Sequence, residues 1–206
     1  MLTYKNASKI AIDICHQLNV FCEVINIAGS LRRGVSEIKD IDLICVPRYT
    51  EVVQLGIFGD SKFSNDHNGH IATRKASVNF TDTVKRIGAI TKGSPDGRYM
   101  SLNVKGHKVD VFMPEAVDYY RQYCIRTGSA KFVHWNIANA WSKKGWCGTD
   151  QGLRRIEDCR EVASAAEKKK WEIVNSNGEK PPAWESEEHF FEWLGVKWIA
   201  PRLRTI

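Results

Sequence analysis

No stretch of this 206-residue chain stays apolar for the roughly 18–20 residues that a membrane span needs. Its start, Met1-Leu2-Thr3-Tyr4-Lys5, lacks the basic segment and apolar run of a secretory signal. The expectation is a protein of a reducing, cytoplasmic compartment with no membrane partner. The six cysteines, Cys15, Cys22, Cys45, Cys124, Cys147 and Cys159, include no Cys-x-x-Cys pair. They read as free thiols rather than a disulfide framework or a zinc site. His67-x-x-His70 is the nearest approach to a ligand pair and has no second pair beside it. A basic tail is missing too: residues 1–115 carry 15 basic and 12 acidic groups, and residues 116–206 carry the same numbers. There are no internal repeats and no linker composition.

What is present describes a folded globule. Hydrophobic residues make up 43% and charged residues 26%, enough apolar surface for a core. The length suits one ordinary domain or two small lobes. The net charge of +6 and a pI near 9.0 suit a polyanion partner without requiring one.

Periodicity orders the chain. Residues 6–18 place Ala7, Ile10, Ala11, Ile14, Cys15 and Leu18 on one helical face. Residues 24–28 read as a strand ending at Gly29-Ser30, and a charged loop leads to a second strand over 40–46. A short helix is expected over 50–57, a loop or weak hairpin over 60–73, and a strand over 83–90. Ser94-Pro95-Asp96-Gly97 is a turn signal. Strands over 99–105 and 108–113 complete a meander. Beyond residue 115 the pattern turns helical. Ser129 reads as the N-cap of a helix that Gly145 stops, and Ser186 as the N-cap of one that Gly195 stops. The seven tryptophans read as core, and Lys168-Lys169-Lys170 as a solvated helix face. The fold class expected is α+β, with domains over 1–115 and 116–206.

One constellation carries chemistry. Asp40 and Asp42 stand two apart at a strand, so their side chains share a face. Two carboxylates one pleat apart repel unless a cation lies between them. Asp110 sits between Val109 and Val111 on a strand that reads as central, and a charge there is expensive unless it binds something. Three oxygen donors on neighbouring strands suit magnesium. Gly29-Ser30 supplies amides and a hydroxyl at a turn, and Arg33 can fork onto phosphate. Together these parts describe phosphoryl or nucleotidyl transfer.

Gly29-Ser30-Leu31-Arg32-Arg33-Gly34 followed by Asp40-Ile41-Asp42 resembles the palm signature of the family X DNA polymerases, the polymerase beta-like nucleotidyltransferases. Lys108-Val109-Asp110 resembles that family's third-carboxylate strand, and Thr127-Gly128-Ser129 its turn at the mouth of the thumb. The ending from Trp184-Glu185-Ser186-Glu187-Glu188 through Phe190-Phe191-Glu192-Trp193-Leu194-Gly195 to Pro201-Arg202-Leu203-Arg204 resembles its thumb.

The resemblance implies a nucleotidyltransferase palm sheet with a helical C-terminal thumb lobe. It implies two magnesium ions, with manganese as a substitute, held by Asp40, Asp42 and Asp110. Asp110 would also help deprotonate a primer 3′-hydroxyl. Gly29, Ser30, Arg33, Lys39 and Gly128 would bind the nucleotide. The implied function is DNA polymerase activity on a primer-template or gapped DNA with dNTP substrate, as a monomer filling short gaps in repair. A nucleotidyltransferase acting on RNA ends, a small molecule or a protein is the alternative. From the short stretch ahead of Gly29 the expectation is that the family's lyase domain and helix-hairpin-helix modules are missing, and Ile125-Arg126 stands where the family has an aromatic pair.

Overall fold

Alternation of apolar and polar residues builds a five-stranded sheet in the computed structural model of the chain, which describes residues 1–54, 71–163 and 169–205. The order across the sheet is Cys22–Ile27, Ile41–Pro47, His107–Phe112, Tyr99–Val104 and Ala89–Gly93. Neighbours run antiparallel except Ile41–Pro47 and His107–Phe112, which run parallel. A parallel pair needs a long crossover, and the chain between residues 47 and 107 provides it.

Register sorts the side chains. Ile41, Asp42 and Leu43 lie opposite Val109, Asp110 and Val111. Ile41, Leu43, Val109 and Val111 therefore share one face, and all four are fully buried. Helix Tyr4–Asn19 packs on strands Cys22–Ile27 and Ile41–Pro47 and buries Ala7, Ala11, Ile14 and Leu18, a stripe at helical spacing. Fully buried side chains of this kind each contribute roughly 1.5–3 kcal/mol. The other face of the sheet holds Asp42, Asp110 and Ser101 side by side across three strands.

Lys105 and Gly106, at φ 52° and 83°, make the tight turn into the central strand. Gly97 donates its amide to the Ser94 carbonyl at 3.0 Å, closing the expected turn there.

Three local readings change. Residues 78–87 form a helix, so the strand expected over 83–90 gives way to helix as far as Ile87. Ser77 caps it by accepting from the Phe80 amide, and Phe80, Thr83 and Val84 are its buried face. The strand follows only at Ala89–Gly93. Tyr49–Gln54 is a strand paired antiparallel with Ile71–Ala76, not a helix. Asp40 lies in a bend just ahead of the strand Ile41–Pro47 rather than on it. Most of the stretch 60–73, including His67 and His70, lies outside the described residues.

Contacts divide the chain into a unit of Met1–Ile27 with Val35–Pro114 and a unit of Ala28–Gly34 with Glu115–Ile206. Residues 28–34 thus cluster with the C-terminal unit, not with the contiguous 1–115 expected. That unit is not purely helical. Trp146–Thr149 pairs with Gly152–Arg155, and Cys159–Ala163 with Lys169–Ile173, as two antiparallel hairpins. Lys169 and Lys170 are therefore strand residues.

The helices of this unit start and stop as read. Ser129 accepts from the Phe132 amide at 3.1 Å, and Ser186 from the His189 amide at 3.1 Å. Gly145 and Gly195 adopt φ of 78° and 74° at the two stops. Residues 133–138 form a π-helical segment between two α-helical ones. Phe132, Ile137, Trp141, Trp146, Trp184, Phe190, Phe191 and Leu194 make the core, with Trp193 packed against it. Trp135 departs from the expected core role, being 63% exposed. Among the described residues no helix is long and apolar enough to cross a membrane.

Candidate active site

The polar face of the sheet carries the carboxylates. Asp42 and Asp110 are register partners on adjacent parallel strands, so their side chains project together. Asp110 is 6% exposed. Its Oδ1 accepts from the Tyr99 hydroxyl at 2.9 Å, and its Oδ2 accepts from Lys108 Nζ at 2.5 Å. Lys108 Nζ also lies 3.7 Å from Asp40 Oδ2. Its hydrogen bond to Asp110 holds the Lys108 ammonium above its ordinary range. Lys39 is exposed beside Asp40.

Three carboxylates, with no nitrogen or sulfur donor, make an oxygen-only set whose chemistry fits magnesium or manganese. As they stand, the three do not converge. Among the described residues no group of three His, Cys, Asp or Glu is gathered closely enough to hold an ion. The Lys108 ammonium bridges Asp110 and Asp40 instead.

The Gly-Ser turn belongs to the second unit. Gly29 opens the single helical turn Gly29–Arg32 at φ 61°, a left-handed value that favours glycine. Leu31 is buried beneath it. The two arginines that follow are held by the thumb-like helices. Arg32 donates from Nη1 and Nη2 to both Glu187 oxygens, at 2.8 and 2.7 Å, and from Nη1 to Thr127 Oγ1 at 2.8 Å. Its guanidinium stacks 3.7 Å from the Tyr123 ring centre. Arg33 donates from Nη1 to the Thr127 carbonyl at 2.6 Å. The expected phosphate fork is thus partly engaged in protein contacts.

Glu187 is the hub of this cluster. The fully buried Arg204 donates to it at 2.7 and 3.3 Å, and Cys124 Sγ lies 3.3 Å from Oε1. Burial alone would raise the Glu187 carboxyl, but the hydrogen bonds from Arg32 and Arg204 outweigh it and bring the pKa to about 2. The carboxylate is ionised and shared by two guanidiniums.

Gly128 is dictated by packing rather than by backbone angle. Its φ of −68° is ordinary, but a Cβ there would lie 2.7 Å from Phe132 Cδ1 and 2.9 Å from Val133 Cγ2. Glycine lets the chain turn directly into the helix that follows.

The thiols offer no nucleophile among those that shift. Burial pushes Cys15 up to about 11, and burial with a hydrogen bond to Cys159 pushes Cys147 up to about 12.

Sequence reasoning overlooked Lys108, Tyr99, Arg32, Glu187 and Arg204. The period-2 rule would have found the first, since Lys108 stands two residues from Asp110 on one strand. Glu187 stands in the sequence only as part of the thumb-like ending after Ser186. Nothing local tells that two arginines, 155 and 17 positions away, converge on it.

Residues 123–205 match the family described as DNA polymerase beta thumb. No curated protein matches the chain.

Proposed function

We propose that this chain, a family X polymerase-like protein whose residues 123–205 are a DNA polymerase beta thumb, is a DNA polymerase that adds deoxynucleotides to a primer 3′-hydroxyl. The observation that carries the reading is that thumb match, in a chain whose other unit bears Asp42 and Asp110 in register on neighbouring strands. A thumb of this type implies a DNA partner.

In this reading Asp40, Asp42 and Asp110 would hold two magnesium ions, whose chemistry when bound would be Lewis-acid stabilisation of the triphosphate and a lowered pKa of the attacking hydroxyl. The residues of the chain do the rest. Tyr99, by donating to Asp110 Oδ1, leaves the carboxylate one orientation. Asp110, ionised, would help deprotonate the primer 3′-hydroxyl by taking its proton. Ser30 and Arg33 bind the β- and γ-phosphates, aided by the backbone near Lys39, and Gly128 lies against the sugar. The Glu187 cluster positions Arg32 and, through Thr127, Arg33. Gap filling in repair, a monomeric state and an intracellular location belong to the same proposal.

Primer extension with magnesium on gapped, nicked, blunt and single-stranded DNA tests it. Incorporation that disappears in Asp110→Ala, with the far-ultraviolet circular dichroism unchanged, is the expected result. Wild-type turnover in that variant, or in Asp40→Ala or Asp42→Ala, would sink the carboxylate assignment. Transfer to RNA ends alone would move the chain to the alternative nucleotidyltransferase class.

A further inference from the structure

We propose that Lys108 is a tethered cation that competes with divalent metal for Asp110, so that loading the carboxylates with metal requires the lysine to swing away. This rests on the carboxylates being metal ligands, as proposed above. One ammonium lies 2.5 Å from Asp110 Oδ2 and 3.7 Å from Asp40 Oδ2, spanning two of the three carboxylates. Both oxygens of Asp110 are then engaged, one by the ammonium and one by Tyr99.

A magnesium-oxygen bond is about 2.0–2.1 Å long. An ion at that distance from Asp110 Oδ2 would stand beside an ammonium hydrogen-bonded to the same oxygen of a buried carboxylate. Two like charges so close repel strongly there. The same lysine can relieve the conflict without moving the backbone. Its side chain is 53% exposed on a flexible stem, whereas the Asp110 side chain is 9% exposed and held by Tyr99. The i and i+2 positions on one strand keep the ammonium within reach of Asp110. The arrangement supplies a counter-charge for a buried carboxylate, and that counter-charge opposes metal binding.

The sign of the effect separates this from a structural role. Loss of a merely structural lysine would loosen the site and weaken metal binding. Loss of a competing one strengthens it. Manganese binding to the full chain, followed by electron paramagnetic resonance at neutral pH without nucleotide, reads that sign. Lys108→Met should bind Mn2+ about tenfold more tightly than wild type, or better. Lys108→Arg keeps a cation and should stay within about threefold of wild type. Adding Asp110→Asn to Lys108→Met should erase the gain.

In chelator the Met variant should melt below wild type, and Mn2+ should raise its midpoint by more. Lys108→Gln serves the same comparison if the Met variant fails to fold. Equal or weaker Mn2+ binding by the uncharged variants, with measurable binding by wild type, overturns the competition. Absence of Mn2+ binding in every protein, with or without dNTP, overturns the metal-ligand reading itself.

Discussion

At the scale of single residues, the most consequential contact is the one between Glu187 and two arginines. A buried ion pair is strongly destabilised when one partner is removed, by about 3–5 kcal/mol, because the remaining charge is left uncompensated. Glu187→Ala strands two guanidiniums, one of them fully buried. Urea unfolding should therefore show a loss of about that size or more, while Glu188→Ala, one residue on, should change little. The pH dependence has a definite sign. The folded pKa of about 2 lies below the ordinary 4.5. A depressed carboxyl contributes stability that is fully present above 4.5 and is lost as pH falls toward 2. The linked stabilisation is about 3 kcal/mol. The wild-type urea midpoint should fall across that window more steeply than that of Glu187→Gln. Equal slopes would mean that the guanidiniums do not hold the carboxylate ionised. None of this was legible from the sequence, because its partners come from three separate segments. Asp42 and Asp110 were legible as strand acids, because an acid at a strand start and a lone acid in an apolar strand are local signals, whereas the bend that takes Asp40 off the strand was not. Where Lys108 would sit was legible in principle from the same alternation.

Secondary-structure elements show a similar division between local and non-local causes. The helices over 4–19 and 187–194 carry their caps and stripes in sequence, and the structure agrees within two residues. The helix over 78–87 replaces most of the strand expected over 83–90, where Thr83, Val84 and Ile87 are β-favouring. Ser77 as cap and the spacing of Phe80, Thr83 and Val84 prevail over that propensity. The two hairpins of the C-terminal unit were missed for another reason. Three of their four strands carry charged residues, so alternation is faint, and the first hairpin forms where Trp146 and Leu153 close over the aromatic core. Gly128 tests whether the turn into the thumb helix is set by close approach. Gly128→Ala places a methyl group within 3 Å of Phe132 and Val133. Overpacking of this kind costs about 1–3 kcal/mol, so the melting temperature should drop. Ser129→Ala, which removes only the cap, should cost about 1 kcal/mol. A Gly128→Ala protein as stable as wild type would show that the helix shifts freely, and that the glycine is there for a ligand and not for packing.

Across the whole molecule, the question is which of the 30 basic side chains are available to a polyanion. The count of 30 overstates the number. Arg32 and Arg204 are bound to Glu187, and Arg121 donates through Nε and Nη2 to Asp118 at 2.5 and 2.6 Å. Two carboxylates offset two of these three charges, and all three guanidiniums are engaged within the protein rather than held out to a phosphate. The exposed lysines along the helix that follows Ser129, namely Lys131, Lys143 and Lys144, are not buried in this way. Each phosphate neutralised by a lysine contributes about 0.9 to the slope of log affinity against log salt. If this helix faces DNA, as a thumb of the polymerase beta type implies, the slope for duplex binding should be at least about −2.7 in magnitude. Lys143→Ala with Lys144→Ala should reduce it by about two while weakening all DNA sequences alike. Fluorescence anisotropy between roughly 50 and 200 mM salt reads both quantities. An unchanged slope in the double variant would exclude Lys143 and Lys144 as phosphate contacts. A nearly flat slope in the wild type would mean that affinity comes from non-ionic contacts, with the exposed Trp135 on the same helix the first side chain to test for stacking on a base.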